Sequence, residues 1–213
     1  MIIAIDGPAA AGKGTLAQNL AQRFNLGLLD TGLLYRGVGK KLLEASQDPS
    51  DEFLAEVAAR DLIFEDLDVQ SLRNEEVASA ASKVSAFPAV RLALLNFQRK
   101  FAISPGPQFA GAVLDGRDIG TVVCPTADIK VFITASIEIR AKRRYKELME
   151  RGLNAIYSRV LNDMQNRDTR DMERAAAPLT PAKDAHVIDT SELEAEKVFD
   201  LVEKFILRKS NNR

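Results

Sequence analysis

Three glycines and one lysine fall within the nine residues GPAAAGKGT at positions 7–15. So bare a backbone suits neither a helix nor a strand, but it suits phosphate. Gly7 and Gly12 stand at the spacing of a phosphate-binding loop, with Lys13 directly after the second glycine. Such glycines let backbone N–H groups turn inward around phosphate oxygens, while the following helix aims its positive end at them and the lysine reaches the outer phosphates. The whole stretch Gly7, Pro8, Ala9, Ala10, Ala11, Gly12, Lys13, Gly14 and Thr15 is therefore the candidate site for a nucleotide's phosphates. Gly14 occupies the place usually held by Ser or Thr, and the hydroxyl comes one position later at Thr15, still within reach of phosphate or of a magnesium-bound water. A glycine-rich strand-to-helix turn without a ligand has the same composition. The apolar run IIAI before the loop and the helical pattern after it favour the phosphate reading.

Other chemistry-bearing residues recur at the ends of apolar runs. LLDTGLLYRG places Asp30 and Thr31 where strands of an open sheet meet ligands, with Arg36 about one helical turn further in. VLDGRDIGTVV ends its apolar run in Asp115, suited to positioning magnesium, and Gly116 lets Arg117 and Asp118 turn back over the site. Residues 140–174 hold ten Lys and Arg, with Arg140, Arg143 and Arg144 at helical spacing on one side and the run RDTRDMER ahead of the loop-like AAAPLTP. A solvated helix face is the ordinary reading of such a run. Beside a phosphate loop, an arginine-rich flap would exclude water and neutralise a phosphoryl group in transfer.

These residues need a frame that brings strand ends together. The short runs IIAI, GLLD, AGAVLD, IKVFITA and HVID alternate with helical patterns, which implies parallel strands joined by helical crossovers. The expected class is α/β, a five-stranded parallel sheet with helices on both faces. The last helix is expected from Ser191, where Ser191 and Glu194 form a capping box. Two excursions interrupt the rhythm of a single domain spanning residues 1–213. Residues 46–104 carry three helical patterns around LIFEDLDVQSL, a stretch able to form a strand, and residues 140–174 form the basic helical segment.

Composition narrows the function classes. The 213 residues are 46% hydrophobic and 28% charged, enough for a packed core, and the net charge of −1 supplies no global attraction to nucleic acid or membrane. The single cysteine, Cys124, excludes an internal disulfide and a cysteine metal cage. With no apolar stretch of membrane-spanning length, a cytoplasmic protein is expected.

In order along the chain, GPAAAGKGT, LLDTGLLYR, AASKVSAFPAVRLALLNFQR, LDGRDIGTVVCPTADIKVFITA, RAKRR and NRDTRDMERAAAPLTPAKDA resemble the bacterial cytidylate kinases, the (d)CMP kinases of the nucleoside-monophosphate kinase group of P-loop proteins. The resemblance implies ATP-dependent, magnesium-assisted phosphorylation of CMP and dCMP in pyrimidine metabolism, by a monomer with small-molecule substrates only. It also implies a monophosphate-binding lobe at about 46–104 and a lid at about 140–174. Carried over by position, Lys13 and Thr15 would hold ATP phosphates, Arg36 and Arg117 the CMP phosphate, and Ser82, Arg91 and Asp118 the cytosine, with Thr31 also binding CMP. Arg167, Asp171 and Arg174 would contact the sugar and phosphate of CMP, Arg140, Arg143 and Arg144 would be lid arginines, and Lys13, Arg117, Arg140 and Arg144 would carry the transfer. Thr31 stands where many relatives have Ser, and the stretch around residues 61–73 is shorter than in long family members, which build a small sheet there.

The residues suit this chemistry on their own terms. A phosphate monoester is already ionised near neutral pH, so an acceptor phosphate needs cations and positioning rather than a general base. The chain offers many arginines and one histidine, His186. Rival readings are a GTPase-type switch, for which no N-K-x-D signature is present, a kinase for a hydroxyl acceptor, which would need a carboxylate base, and a nucleotide-binding protein without turnover.

Overall fold

The computed structural model of the chain describes residues 1–64 and 67–211. The strands are β1 (Ile2–Asp6), β2 (Gly27–Asp30), β3 (Ala112–Gly116), β4 (Ile129–Thr134) and β5 (His186–Asp189). They form one all-parallel sheet in the order β2-β3-β1-β4-β5, as an α/β open sheet requires. The register sets Ile5 against Asp115 and Val131, Asp6 against Gly116 and Phe132, and Asp30 against Asp115. Asp6, Asp30 and Asp115 thus end neighbouring strands on one carboxyl edge.

Eight helices accompany the sheet among the described residues: α1 (Lys13–Phe24), α2 (Gly32–Glu44), α3 (Glu52–Arg60), α4 (Glu75–Val84), α5 (Pro88–Ile103), α6 (Ile137–Glu150), α7 (Tyr157–Glu173) and α8 (Ala195–Asn211). Alternation along β1 sends Ile3 and Ile5 to one face, where they meet Leu16 and Leu20 of α1 and Val198, Val202 and Ile206 of α8. Ala4 faces the other way, into a cluster with Leu29, Leu114 and Ile119 backed by Leu95 and Phe101 of α5. Both faces are covered, which is why the strands read as nearly unbroken apolar runs.

The interruptions of the rhythm are helical. Between α2 and β3, the helices α3, α4 and α5 pack with α2 around Leu34, Val38, Leu42, Ala55, Val84, Val90 and Leu94. Asp51 and Asn74 cap α3 and α4 by accepting from Leu54 and Val77, and Pro88 opens α5. No strand occurs in LIFEDLDVQSL among the described residues, and Glu65 and Asp66 of that stretch lie outside them. The basic segment is two helices rather than one: α6 stops at Glu150, Gly152 turns the chain at φ 72°, and α7 returns to pack Val160 and Met164 on Ala141 and Leu148.

The last helix also departs from expectation, beginning at Ala195 instead of after Ser191. The Ser191 hydroxyl is engaged elsewhere: it donates to Asp189 at 2.6 Å and accepts the Ser136 N–H at 2.9 Å, so it ties β5 to the start of α6 and cannot cap.

Candidate active site

The phosphate loop follows β1 because Gly7 permits it. A Cβ on Gly7 would fall 1.9 Å from the carbonyl oxygen of Ile133, and its φ of 146° disfavours any side chain, so only glycine lets the chain pass this close to β4. Gly12, in the left-handed region, precedes α1 with no side-chain cap, leaving the first N–H groups of the helix uncapped by the chain's own side chains. Lys13 folds back over the loop: its Nζ donates to Pro8 O at 2.9 Å and lies 3.8 Å from Asp115 Oδ1. Burial, then the charge of Arg117, pushes the Lys13 ammonium down to about 8, against the opposing pull of Asp115 and Asp30. Burial likewise pushes the Asp115 carboxyl up to about 6, with Lys13 opposing and Asp30 reinforcing. Perturbed values on two facing buried groups are a feature of functional sites.

The rest of the site arrives from three directions. At the end of β2, Thr31 docks onto β3, its hydroxyl and its N–H both donating to Asp115 O, at 2.8 and 3.0 Å. Arg36 in α2 donates to Leu72 O at 2.8 Å. Past β3, Arg117 donates to Asp171 at 3.1 Å and Asp118 pairs with Arg91 of α5 at 2.5 Å. Arg174, at the end of α7, lies 3.9 Å from Asp118 and 3.8 Å from Asp171. These five residues, Arg91, Asp118, Arg174, Asp171 and Arg117, form a buried chain of alternating charge that joins α5, the β3 edge and α7. The neighbouring arginines hold the Asp171 carboxyl below its ordinary range despite its burial.

The network is incomplete on its cavity side. Ser82 Oγ, Arg167 Nε and Arg174 Nη2 are buried without a hydrogen-bond partner. Burial, and then the charge of Arg117, push the Arg167 guanidinium down to about 10, with Asp171 opposing. All three atoms belong to residues lining one cavity of about 660 Å³, shared with Gly12, Lys13, Thr15, Thr31, Arg36, Arg91, Arg117, Asp118 and Asp171. Eight arginines line it. The cavity is therefore suited to an anionic ligand that also carries polar edges.

Not every expected residue reaches it. Arg140, expected beside Arg144 over the phosphates, is buried between α6 and α7, donating to Ala135 O at 2.8 Å and Asp168 at 2.6 Å. Arg143 donates to the hydroxyl and carbonyl of Thr190, which itself donates to Ala11 O at 3.0 Å. Helical spacing stacks these arginines correctly, but the return of α7 captures Arg140 and the loop after β5 captures Arg143. Only Arg144 of the three lines the cavity, in ion pairs with Glu75 of α4 and with Glu147. Gly7, Pro8 and Ala11 shape the loop without lining the cavity, whereas Ala9, Ala10 and Gly14 line it.

Sequence reasoning passed over Tyr35, whose ring lies 5.4 Å from the Arg91 guanidinium and on the cavity wall. Its place one residue before Arg36 was the available signal. Asp6 was passed over as the end of an apolar strand, although it is 4% exposed and hydrogen-bonded to two backbone N–H groups. Arg73 and Glu75, on the wall from the α4 side, carry no local signal at all.

Comparison with known proteins agrees with this geometry. The family model described as cytidylate kinase matches residues 3–208. A cytidylate kinase of Paramagnetospirillum magneticum is 62% identical over 93% of this chain and 93% of its own length. One from Methylocella silvestris is 56% identical over 93% of this chain and 90% of its own. Among solved structures, an uncharacterized protein from Eubacterium ventriosum superimposes with a TM-score of 0.55 at 19% identity, covering 97% of this chain and 98% of that one, a likeness of fold.

Proposed function

The chain belongs to the cytidylate kinase family, and on that premise we propose that it transfers the γ-phosphoryl group of ATP to the phosphate of CMP or dCMP, with the residues around the 660 Å³ cavity in the roles that follow. The observation that carries the assignment of roles is the set of buried atoms without a hydrogen-bond partner, Ser82 Oγ, Arg167 Nε and Arg174 Nη2, on the wall of a cavity that opens onto the phosphate loop.

The loop N–H groups and Lys13 take the ATP phosphates. Lys13 exchanges the Pro8 carbonyl for phosphate oxygens, whose negative charge favours its protonated form. Magnesium fits the residues present. Among the described residues no three His, Cys, Asp or Glu side chains form a cage, as suits an ion that keeps water and phosphate oxygens among its ligands. Thr15, Asp115 and Asp30 would hold it, and the Asp115 carboxyl, pushed up to about 6 by burial, is a group that a nearby cation would ionise. Bound magnesium would neutralise charge on the transferring phosphates.

Arg36, Arg117 and Arg167 take the acceptor phosphate. It is ionised near neutral pH, so no side chain need remove a proton from it. The arginines reduce its repulsion from ATP and aim its oxygen at the γ-phosphorus. Asp118 accepts from the C4 amino group of cytosine, while Arg91 and Ser82 donate to the acceptor edge of the ring, an arrangement that uracil cannot satisfy at C4. Arg144, on α6, closes the site over the phosphates from the cavity wall. The helices at 46–104 act as the monophosphate-binding lobe and α6 with α7 as the lid.

No helix among the described residues is long and apolar enough to cross a membrane. Together with the lone cysteine and the nucleotide substrates, this supports a cytoplasmic place of action.

A coupled assay of ADP release tests the reading with CMP, dCMP, UMP, a hydroxyl acceptor such as shikimate, and no acceptor. Turnover with CMP and dCMP well above the others is expected. Turnover that depends on the hydroxyl acceptor, or that needs no acceptor, overturns it.

A further inference from the structure

The segment that presents Arg117 and Asp118 to the cavity is held by more than its own local hydrogen bonds. Directly after Asp118 the chain makes a π-helical turn, Ile119–Val123, in which Cys124 N–H donates to Ile119 O at 2.7 Å. Turns of this kind are uncommon and need outside support. Here each end has it. At the start, both oxygens of Asp6 accept backbone N–H groups, from Ile119 and from Gly120, each at 2.7 Å. At the finish, the Arg99 guanidinium of α5 donates to Val122 O at 3.0 Å and Val123 O at 3.1 Å. Gly120 leaves room for this: a Cβ there would stand 3.3 Å from Asp6 Oδ2.

The two supports come from the two halves of the site. Asp6 immediately precedes Gly7, so its carboxylate is anchored to the strand that feeds the phosphate loop. Arg99 lies two helical turns along α5 from Arg91, the partner of Asp118. We propose that Asp6 and Arg99 are positioning residues that clamp the 119–123 turn between the phosphate loop and α5, and that this clamp sets the enzyme's preference for cytosine over uracil by fixing Asp118. Neither side chain lines the cavity, so neither acts by touching the substrate. The proposal rests on the reading of Asp118 as the group that meets the C4 substituent.

The test compares kcat/KM for CMP and for UMP in wild type, Asp6→Asn, Arg99→Met and Asp118→Asn, with melting temperatures recorded alongside. Asn in place of Asp6 turns an amide N–H₂ toward one of the two backbone N–H groups, donor against donor, and the turn must shift. The CMP-over-UMP ratio is expected to fall about tenfold in Asp6→Asn and about threefold in the more exposed Arg99→Met. A purely structural role would instead lower the melting temperature and scale activity on both nucleotides alike. Wild-type ratios in both variants overturn the proposal. If Asp6→Asn fails to fold, a wild-type ratio in Arg99→Met overturns it alone. An unchanged ratio in Asp118→Asn is a different failure, that of the base-site reading itself, and it takes the clamp's role in selectivity down with it.

Discussion

The side chains of Arg91 and Asp118, from helix α5 and from the turn after strand β3, meet at 2.5 Å with about nine-tenths of each buried. A pair this enclosed is held in one geometry, and removing one partner strands the other's charge. Arg91 also donates to Ser85 O at 3.1 Å, so it is fixed from both sides and leaves Asp118 with an oxygen turned toward the cavity and Arg174. Replacing Asp118 with Asn keeps the shape but lets the group donate as well as accept. The CMP-over-UMP ratio of kcat/KM should fall by about tenfold, mainly through lost CMP activity, since one such contact is worth about 1–3 kcal/mol. Steady-state kinetics with both nucleotides provide the measurement.

In the proposed reading, Lys13 meets the phosphoryl group where its charge develops. Lys13→Ala should lower kcat by about 10²–10³ while changing the affinity for CMP far less, because only the first effect is specific to the transition state. Rapid-quench turnover and equilibrium CMP binding separate the two, and near-normal kcat would remove the loop from the chemistry.

The Nε of Arg167 is buried without a hydrogen-bond partner. Burial, then the charge of Arg117, pushes its guanidinium down to about 10. Arg167→Met should therefore leave the melting temperature of the ligand-free protein equal to or above wild type, while the KM for CMP rises about tenfold or more. A lowered melting temperature together with an unchanged KM would show the residue to be structural.

Asp6 makes stability depend on pH in an unusual sense. Its carboxyl is pushed from 3.8 up to about 6, chiefly by burial, with the Gly120 and Ile119 N–H groups opposing. Between these two values the folded state binds the proton and the unfolded chain does not, so this group's stabilising contribution is lost as pH rises through about 6. Wild type should lose about 1–2 kcal/mol between pH 5 and pH 7 from this residue, and Asp6→Asn should not. Urea unfolding of both proteins at the two pH values gives the difference of differences, and a parallel response overturns the assignment.

His186 stacks on Phe205 with ring centroids 4.5 Å apart and does not line the cavity. His186→Gln should keep kcat within about threefold of wild type, because a phosphate acceptor needs no base. A thousandfold loss in a variant with an unaltered circular dichroism spectrum would point to proton abstraction and a different acceptor.

What could be read from the chain alone was what depends on near neighbours. Strand and helix periods, the glycine spacing of residues 7–14 and the apolar runs ending in Asp30 and Asp115 are local, and so they specify the parallel sheet, the phosphate loop and the edge where ligands meet. The three helices of 46–104 were legible for the same reason. The Ser191 capping box was not decisive, because a hydroxyl with a better partner in Asp189 and a donor in Ser136 leaves the helix to start later. Nor could helical spacing reveal that Arg140 would be claimed by Asp168, 28 residues away, and Arg143 by Thr190, while their neighbour Arg144 faces the cavity. The charge network around Asp118 is the extreme case: Arg91, Asp118 and Arg174 lie on three elements, and the turn that presents Asp118 is tied to Asp6 across 113 residues. Charge pairing and backbone hydrogen bonding at such separations are settled by how the sheet and helices close on one another, and only the tertiary structure decides them.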